Sequence, residues 1–306
     1  MIKVAAPALK NPERRTLAEF HNYWAESHGP LFSNTRHLRR YVQHLTLPEA
    51  YGSDPNPGYD GVSIFWFDDL ETALSPPAHP HADRLRQMVR EDDAQLFDRL
   101  PGWPLHHKRA SVSANEIVIK DGATTPDMVK VITFASRLPG LTLDEFFEHW
   151  QHVHGPMAAA VPHVRRYTQN HAIKEAYGKR DITHDGWAEI WFDSLEAMHQ
   201  CYATPEWQAL RDDGKTLFTQ PMGVGVAREL VQKEIGAEPR QWGAFEMTEG
   251  AIRDKLKEQG YLDLASDPNA PAQIKNADTN HALAVWTWEH IVTIDDSKIE
   301  ARPTHT

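Results

Sequence analysis

The chain has 306 residues, of which 41% are hydrophobic and 25% charged, and its formal net charge at pH 7 is −11. These values are typical of a folded globular protein with room for two domains, and the acidic balance argues against a nucleic-acid partner, which needs a basic face. No apolar run approaches the roughly 18 residues of a membrane span, no secretory signal is visible and Cys201 is the single cysteine, so we expect a cytoplasmic protein without a disulfide or a membrane partner.

One module is written twice in this sequence. A constant separation of 126 residues pairs Thr16 with Thr142, Trp24 with Trp150, His28-Gly29-Pro30 with His154-Gly155-Pro156, Arg39-Arg40-Tyr41 with Arg165-Arg166-Tyr167 and Tyr51 with Tyr177. After the loss of one residue, Trp66-Phe67-Asp68 matches Trp191-Phe192-Asp193. Chance does not produce a match of this length. We therefore predict two modules, residues 1–122 and 123–234, and a C-terminal extension, residues 235–306.

The elements of the module follow the same order in both copies. An apolar segment (residues 2–6 and 128–135) predicts a strand, and a Thr-x-x-Glu capping box then starts a helix. We expect the His-Gly-Pro triplet to end that helix, with glycine as the left-handed stop. In the first copy two strands (41–45 and 62–67), a helical stretch (69–100) and a last strand (111–119) follow; the second copy ends at 222–231.

The order βαββαβ predicts an α+β fold made of two ferredoxin-like modules. Each sheet would cover one face with its own helices and leave the other face free. Because the second copy supplies a matching sheet, we expect the two free faces to pack together as a pseudo-twofold barrel within one chain.

The pattern Glu-Phe…Trp…His-Gly-Pro followed by Arg-Arg-Tyr-Val-Gln resembles the EthD family of the dimeric α/β barrel superfamily. Members usually act as homodimers of single modules, so the resemblance implies a fused dimer, which would be either a monomer or a further homodimer. It implies an enzyme acting on a small molecule, mostly without a metal or an organic cofactor, such as a polyketide dehydratase, a muconolactone-type isomerase, or an oxygenase or lyase of aromatic compounds. Fold analogy alone does not fix the reaction.

His28 and His154 are the first candidate catalytic residues. Each lies four residues beyond a tryptophan of the helix stripe, so its ring should face the core rather than water. The functional interpretation is a general acid or base, because an imidazole transfers protons near neutral pH. The alternative is a structural histidine at a helix end.

Glu189 is the second candidate, since strand alternation places Trp187, Glu189 and Trp191 on one face, toward the barrel interior. Desolvation between two tryptophans would raise the pKa of Glu189 toward neutrality. The alternative is a structural ion pair with Arg165 or Arg166. The first copy has Ile64 instead, beside Trp66, so the two halves are not equivalent.

The preceding strand supplies further candidates. His44 in the first copy corresponds to Asn170 in the second, and a histidine facing the interior would be the best proton carrier of the first half. Tyr41 and Tyr167 are candidates for binding an oxyanion, with core packing as the alternative.

Two loop tyrosines and a histidine cluster complete the list of candidates. Tyr51 and Tyr177 follow that strand and are expected to line an entrance. His149 and His152 are three residues apart and invite a metal interpretation. The first copy has Tyr23 and Glu26 there and no His-Glu-x-x-His motif occurs, so we expect no metal.

The extension contains a predicted helix (249–259) and a predicted strand (282–294). Trp286, Trp288 and His290 share one face of that strand, so we expect the extension to pack on the barrel or cover its mouth.

These residues favour a cofactor-independent lyase of the dehydratase kind, or an isomerase, acting on a cyclic, aromatic or polyketide-like compound. The substrate would lie among Trp66, Trp187 and Trp191, and Asn170, Tyr51 and Tyr177 would also bind it. Proton transfer would fall to His154 with Glu189 or to His28 with His44, and Glu189→Ala should abolish turnover without affecting the fold. The alternatives are a cofactor-free monooxygenase of aromatic compounds and a non-catalytic protein that binds a small molecule or haem.

Overall fold

A computed structural model describes residues 1–35, 37–52, 55–74, 80–97, 111–177, 179, 184–220 and 222–236. In this part of the chain the strands are Ile2–Ala8 (β1), Leu38–Thr46 (β2), Gly61–Phe67 (β3), Val112–Lys120 (β4), Val129–Ala135 (β5), Arg166–Ala172 (β6), Gly186–Phe192 (β7) and Gly223–Lys233 (β8). The α-helices are Leu17–Tyr23 (α1), Gly29–Ser33 (α2), Leu70–Leu74 (α3), Pro80–Leu96 (α4), Leu143–His149 (α5), Gly155–Ala160 (α6), Leu195–Tyr202 (α7) and Pro205–Gly214 (α8). The predicted helix and strand of the extension lie outside the described residues, and the described helices include none that is both long and apolar enough to cross a membrane.

The strands form one closed antiparallel barrel in the order β1-β3-β2-β8-β5-β7-β6-β4. Each half contributes four neighbouring strands in the ferredoxin-like order, β4-β1-β3-β2 and β8-β5-β7-β6. The halves meet at two seams, where β2 pairs with β8 and β4 pairs with β6. Closure leaves no strand edge unpaired. The predicted α+β fold, with two ferredoxin-like modules packed sheet to sheet, is confirmed.

The halves also exchange short segments. Leu47 and Ala50, which follow β2, pack in the helix-covered core of the second half, and the Leu47 amide donates to the Val226 carbonyl at 2.8 Å. Ile173 and Ala176, which follow β6, pack in the core of the first half in the same way. Each half therefore completes the hydrophobic core of the other.

The expected helix end at His-Gly-Pro is wrong. The helix continues through a π-helical turn, Trp24–His28, into α2, and the second copy does the same through Trp150–His154 into α6. Gly29 has φ −59°, so it is a right-handed helical residue and not a left-handed stop. The wide turn carries the chain past Pro30, which has no amide proton to donate. Glycine is needed for close approach, because a Cβ atom at Gly29 would lie 2.4 Å from Gln232 Nε2.

The two faces of the sheets have different surroundings. Trp187 packs in the barrel interior with Ile64 and Ile132, whereas Ile190 and Phe192 pack under the helices of the second half. This alternation of β7 is the one that its sequence predicts. The candidate residues are therefore divided between a barrel interior and a helix-covered face, and the sheet lies between them.

Candidate active site

The barrel interior contains a buried cluster of charges. Lys3 on β1 and Lys130 on β5 lie at corresponding positions of the two halves, and both contact Glu189, at 2.5 Å and 2.6 Å. Lys3 also contacts Glu116, and Lys130 contacts Glu229. All of these side chains except the partly exposed Glu116 and Glu229 are almost fully buried. Paired, hydrogen-bonded charges of this kind are the form in which lysine and glutamate are tolerated inside a protein.

Among the described residues, three side chains that could together ligate a metal ion surround Lys130. One ligand atom each of His44, Glu189 and Glu229 lies within 4.8 Å of the others. The ammonium group of Lys130 already occupies the space between them, since it donates to His44 Nε2 at 3.0 Å and to Glu189 at 2.6 Å and contacts Glu229. A cation at that point satisfies the carboxylates as a metal ion would, so the geometry is that of an ion-pair cluster.

The expected upward shift of the Glu189 pKa is wrong. Burial acts in the expected direction, but the charges of Lys130 and Lys3 outweigh it, and the pKa of Glu189 lies well below its usual value. Glu189 is paired with lysines from both halves rather than with Arg165 or Arg166, which bind other carboxylates. A fixed carboxylate of this kind is a counter-ion and a poor proton carrier near pH 7.

The residues predicted to bind substrate around Glu189 contact members of the cluster. Trp187 Nε1 and Asn170 Nδ2 donate to Glu189 Oε1 at 3.1 Å and 3.0 Å. The ammonium group of Lys3 lies 5.1 Å from the centre of the Trp66 ring, and that of Lys130 lies 4.0 Å from the Trp191 ring. Aromatic faces stabilise buried cations at these distances.

His44 also belongs to the cluster. Its Nδ1 atom lies 3.1 Å from the Val62 carbonyl oxygen and its Nε2 atom faces Lys130. Burial, followed by the charge of Lys130, lowers the pKa of His44 despite the nearby Glu229. A neutral ring with its proton on Nδ1 satisfies both contacts.

A cavity of about 590 Å³ lies on the opposite face of the second-half sheet, between the strands and the helices. This volume is in the range of small-molecule sites. The sheet supplies one wall, made of Val131, Thr133, Ala135, Tyr167, Ala188, Ile190 and Val224. The helices and the segment after them supply the other wall, made of Trp150, His154, Ala158, Tyr202, Trp207, Leu210, Gly214, Phe218 and Met222. Apolar and aromatic groups dominate both walls.

His154 is held in this cavity by an aspartate. Its Nδ1 atom lies 2.8 Å from Asp213 Oδ2, and among the described residues nothing hydrogen-bonds to its Nε2 atom. Burial lowers the pKa of His154 and outweighs the opposite effect of Asp213. At Asp213 the balance is reversed. Burial would raise the pKa of Asp213, but the hydrogen bonds from His149 and His154 outweigh it and lower that pKa. A neutral imidazole that donates from Nδ1 to a carboxylate keeps the Nε2 lone pair available as a base.

Tyr167 also lines this cavity. The hydroxyl oxygen accepts hydrogen bonds from Trp150 Nε1 at 3.3 Å and from Gln169 Nε2 at 3.1 Å. No described residue accepts its proton in turn. Burial raises the pKa of Tyr167 to about 12, so the group stays protonated and can donate to an oxygen of a bound molecule.

Five further residues, Pro55, Asn56, Arg211, Lys215 and Gln220, complete the cavity lining. Arg211 and Lys215, both exposed, belong to α8 and the residues after it, and Lys215 is paired with Asp212 at 2.6 Å. Pro55 and Asn56 come from the loop after β2 of the first half. The site of the second half is thus completed by the first.

The first half repeats the dyad in closed surroundings. His28 Nδ1 lies 2.6 Å from Asp92 Oδ2, and the His28 side chain is fully buried. Tyr41 corresponds to Tyr167, but the rings of Phe32 and Phe65 lie 5.3 Å and 4.9 Å from its ring. These two phenylalanines stand where the second half has Ala158 and Ile190. The aromatic rings pack on Tyr41, whereas Tyr167, which is equally buried, lines the cavity together with the smaller Ala158 and Ile190.

The structure brings His154 and Tyr167 together and separates both from the other candidates. The sheet lies between His154 and Glu189, and likewise between His28 and His44, so neither predicted proton-transfer pair is formed. Tyr51 and Tyr177 are not on the cavity wall; their hydroxyl groups donate to Asp60 and Asp185, each at 2.6 Å.

Asp213 is a member of this candidate site that the sequence did not reveal. Its counterpart Asp92 lies 121 residues earlier, a separation that differs from the register of the rest of the repeat because α4 is longer than α8. An aspartate in the last helix of each copy was the available signal. His149 and His152 do not converge on a common point: His149 Nε2 lies 2.9 Å from Asp213, and His152 Nε2 lies 3.8 Å from Glu148.

A sequence model of the EthD domain matches residues 13–99 and 138–221, which together make up more than half of the chain. The chain belongs to the EthD family. Each matched segment lies within one half of the barrel, so this EthD protein carries the domain twice in one chain. No curated protein matches the sequence.

Several solved structures are similar to this EthD protein. An anthrone oxidase-like protein has 11% identity and a TM-score of 0.50, with 78% of this chain and 96% of that chain covered. An EthD family protein from Bacillus halodurans C-125 has 20% identity and a TM-score of 0.30 over 34% of this chain and 99% of that one. A protein from Lactobacillus acidophilus NCFM, provisionally described as a monooxygenase, has 11% identity and a TM-score of 0.43 over 78% and 97%.

Proposed function

We propose that the chain is a cofactor-independent enzyme that removes a proton from a small cyclic, aromatic or polyketide-like substrate bound in the second-half cavity. Dehydration, as in a lyase, or isomerisation completes the reaction. The observation that carries the proposal is that His154, held by Asp213, and Tyr167, with an available proton, line one largely apolar cavity.

The proposed chemistry begins at Nε2 of His154. This atom takes a proton from a carbon next to a carbonyl group of the substrate, and Asp213 stabilises the imidazolium ion that forms. Tyr167 donates its proton in a hydrogen bond to the resulting enolate oxygen. Return of the same proton to a departing hydroxyl group releases water and gives the dehydrated product. Return to a different carbon gives an isomer.

A monooxygenase reaction is the second candidate, and the apolar walls of the cavity favour it. Deprotonation by His154 would leave an electron-rich substrate anion in surroundings with little water. Such an anion can react directly with O₂ to form a peroxide on the same carbon. When that carbon bears a second hydrogen, loss of this hydrogen and cleavage of the O–O bond leave a carbonyl group on the substrate and release the other oxygen atom as water. The first step and the residues that perform it are the same in both candidates. Only the fate of the anion differs.

The test is a turnover assay of the full chain with a panel of anthrone-like, hydroxylated polyketide-like and lactone compounds. We expect product formation by the wild type and by His28→Ala, and a loss of at least two orders of magnitude in kcat for His154→Ala. An oxygen electrode separates the two candidates: turnover that continues without O₂ supports the lyase or isomerase, and stoichiometric O₂ consumption supports the monooxygenase.

A substrate that bears an acidic C–H group provides a readout that does not depend on product. In D₂O the wild type should exchange that hydrogen for deuterium, and His154→Ala should not. Tight binding of panel compounds with neither exchange nor turnover would overturn the enzymatic proposal in favour of a binding protein.

A further inference from the structure

A second histidine reaches the base of the proposed site through Asp213. The carboxylate lies between two imidazoles, with Oδ1 2.9 Å from His149 Nε2 and Oδ2 2.8 Å from His154 Nδ1. The side chain of His149 is 37% exposed, that of Asp213 15% and that of His154 10%. The three groups therefore form a continuous path from solvent to the cavity wall.

The first half contains the same arrangement with a different outer member. Tyr23 occupies the position of His149, and its hydroxyl donates to Asp92 Oδ1 at 2.5 Å while His28 contacts Asp92 Oδ2. Both outer residues therefore orient the carboxylate. An imidazole can also gain a charge near neutral pH, whereas a phenol cannot. The difference between the halves is thus a titratable group next to the accessible dyad.

A charge on His149 acts on His154 through Asp213. A carboxylate stabilises a protonated imidazole, and a second positive charge beside the same carboxylate opposes this stabilisation. The charge of His149 accordingly acts to lower the pKa of His154. His152, on the neighbouring turn, faces Glu148 rather than Asp213, and Lys215, near α8, is paired with Asp212. Among the described residues, the charged groups that face Asp213 directly are therefore His149 and His154.

We propose that His149 is a positioning residue of the second-half site, which orients Asp213 toward His154 and sets, through its own protonation, how strongly His154 holds a proton. This proposal rests on the proposed function, because it assumes that His154 is the base. It gives His149, a member of the histidine cluster, a role that does not require a metal ion. It also predicts a specific difference between two substitutions at the same position.

The experiment compares His149→Tyr, which copies the first-half residue, with His149→Phe. For both variants kcat and kcat/KM are measured as a function of pH, with a compound of the panel that the wild type converts to product. His154→Ala serves as the reference. His149→Tyr keeps the hydrogen bond, so we expect its kcat near pH 8 to be within about threefold of the wild type. His149→Phe removes the bond and should lose about tenfold. The thermal unfolding midpoints of the two variants are compared as a check on folding.

The acid limb of the profile distinguishes titration from packing. Without the charge of His149, His154 holds its proton more strongly, so the acid limb of His149→Tyr should move to higher pH by about 0.5 to 1.5 units. A profile of His149→Tyr that superimposes on the wild type overturns the proposal. Unchanged activity in His154→Ala overturns the proposed function itself, so the two failures are distinguishable.

Discussion

Ala158 occupies in the second half the position that Phe32 occupies in the first, one residue after a matching Gly-Pro-x sequence. The Phe32 ring lies 4.7 Å from Phe65 and 5.3 Å from Tyr41, whereas Ala158 is part of the cavity wall next to Tyr167. This difference, together with Ile190 in place of Phe65, accompanies the difference between a tyrosine packed against two phenylalanine rings and one that lines a cavity. Introducing the first-half phenylalanine at position 158 tests this relationship.

Ala158→Phe should close the cavity. The added ring would occupy space next to Tyr167, as Phe32 does next to Tyr41, and we expect ligand affinity to fall by at least tenfold. Because the ring enters an existing cavity, the free energy of unfolding should change by less than about 1.5 kcal/mol. Isothermal titration calorimetry with a bound panel compound measures the first effect, and urea unfolding measures the second.

Ala160→Phe is the matched control, since Ala160 ends the same helix and is exposed. It should bind ligand as the wild type does. Equal loss of affinity in both variants, or none in Ala158→Phe, would show that the cavity is not the binding site.

Tyr167→Phe should lower kcat by about 10² to 10³ with little change in KM, because it removes one hydrogen bond that strengthens as negative charge develops on the substrate oxygen. The corresponding change in the first half, Tyr41→Phe, should leave kcat unchanged. Steady-state kinetics on the two variants checks this difference. A Tyr167→Phe variant with unchanged kcat would remove Tyr167 from the mechanism.

Asp213→Asn should lower kcat/KM by at least about 10², because the amide no longer stabilises the imidazolium form of His154 and can favour the other ring tautomer. Asp92→Asn makes the same change beside the buried His28 and should affect stability but not kinetics. Comparison of kcat/KM and unfolding midpoint for the pair separates a catalytic dyad from a structural one. Equal kinetic effects of both substitutions would contradict the assignment of the site to the second half.

The acid limb of kcat/KM should reflect His154. The base must be deprotonated to act, so activity is lost as the pH falls through the pKa of His154. Burial lowers that pKa from the ordinary histidine value of about 6.5, so half-maximal activity should occur below pH 6.5 and kcat/KM at pH 7 should be well above half of its plateau value. An acid limb centred above pH 7 would contradict a buried, neutral His154.

Glu189→Gln should destabilise the fold by about 3 to 5 kcal/mol, because it leaves Lys3 and Lys130 buried without their shared counter-ion. This result would replace the expectation that alanine at this position leaves the fold intact. Glu116→Gln is the control: Glu116 is partly exposed and contacts only Lys3 among the lysines of the cluster, so it should cost less than half as much. Urea unfolding at pH 7 measures both.

The same glutamate predicts acid sensitivity of the fold. The pKa of Glu189 is lower in the folded protein than in the unfolded chain, where it is about 4.3. Its contribution to stability is therefore complete above that unfolded value and is lost as the pH falls toward the folded one. As the pH is lowered below about 4, the urea concentration at the unfolding midpoint of the wild type should decrease, and that of Glu189→Gln should decrease less steeply. Parallel pH profiles would rule out Glu189 as the source.

The fold could be predicted from the sequence because the same local patterns occur in both copies of the repeat. The capping boxes at Thr16 and Thr142, the tryptophan stripe and the alternation of β7 all depend on neighbours in the chain, and the structure has them as predicted. The continuation of the helix past Pro30 was missed because a π-helical turn depends on Gln43 and Gln232, which approach from distant strands.

The site was harder to predict because it depends on contacts between elements. The sequence identified His154 and Tyr167 but paired the histidine with Glu189, which lies on the other face of the sheet. Lys3 and Lys130, which set the charge of Glu189, come from strands far apart in sequence. The cavity of the second half is lined by Ala158 and Ile190, where the first half has Phe32 and Phe65, and this difference of volume carries no chemical motif.

The central carboxylate of the barrel has a consequence for how the halves recognise each other. Glu189 contacts one lysine from each half, and its counterpart in the first half is the uncharged Ile64. Two copies of the first half would bring their lysines together with no central acid, and two copies of the second half would bring two acids to the same place. The mixed pair supplies one shared acid for two lysines. When the two halves are produced as separate polypeptides, a dimer of one first and one second half should therefore form in preference to dimers of identical halves. The buried charges would determine which partner each half selects.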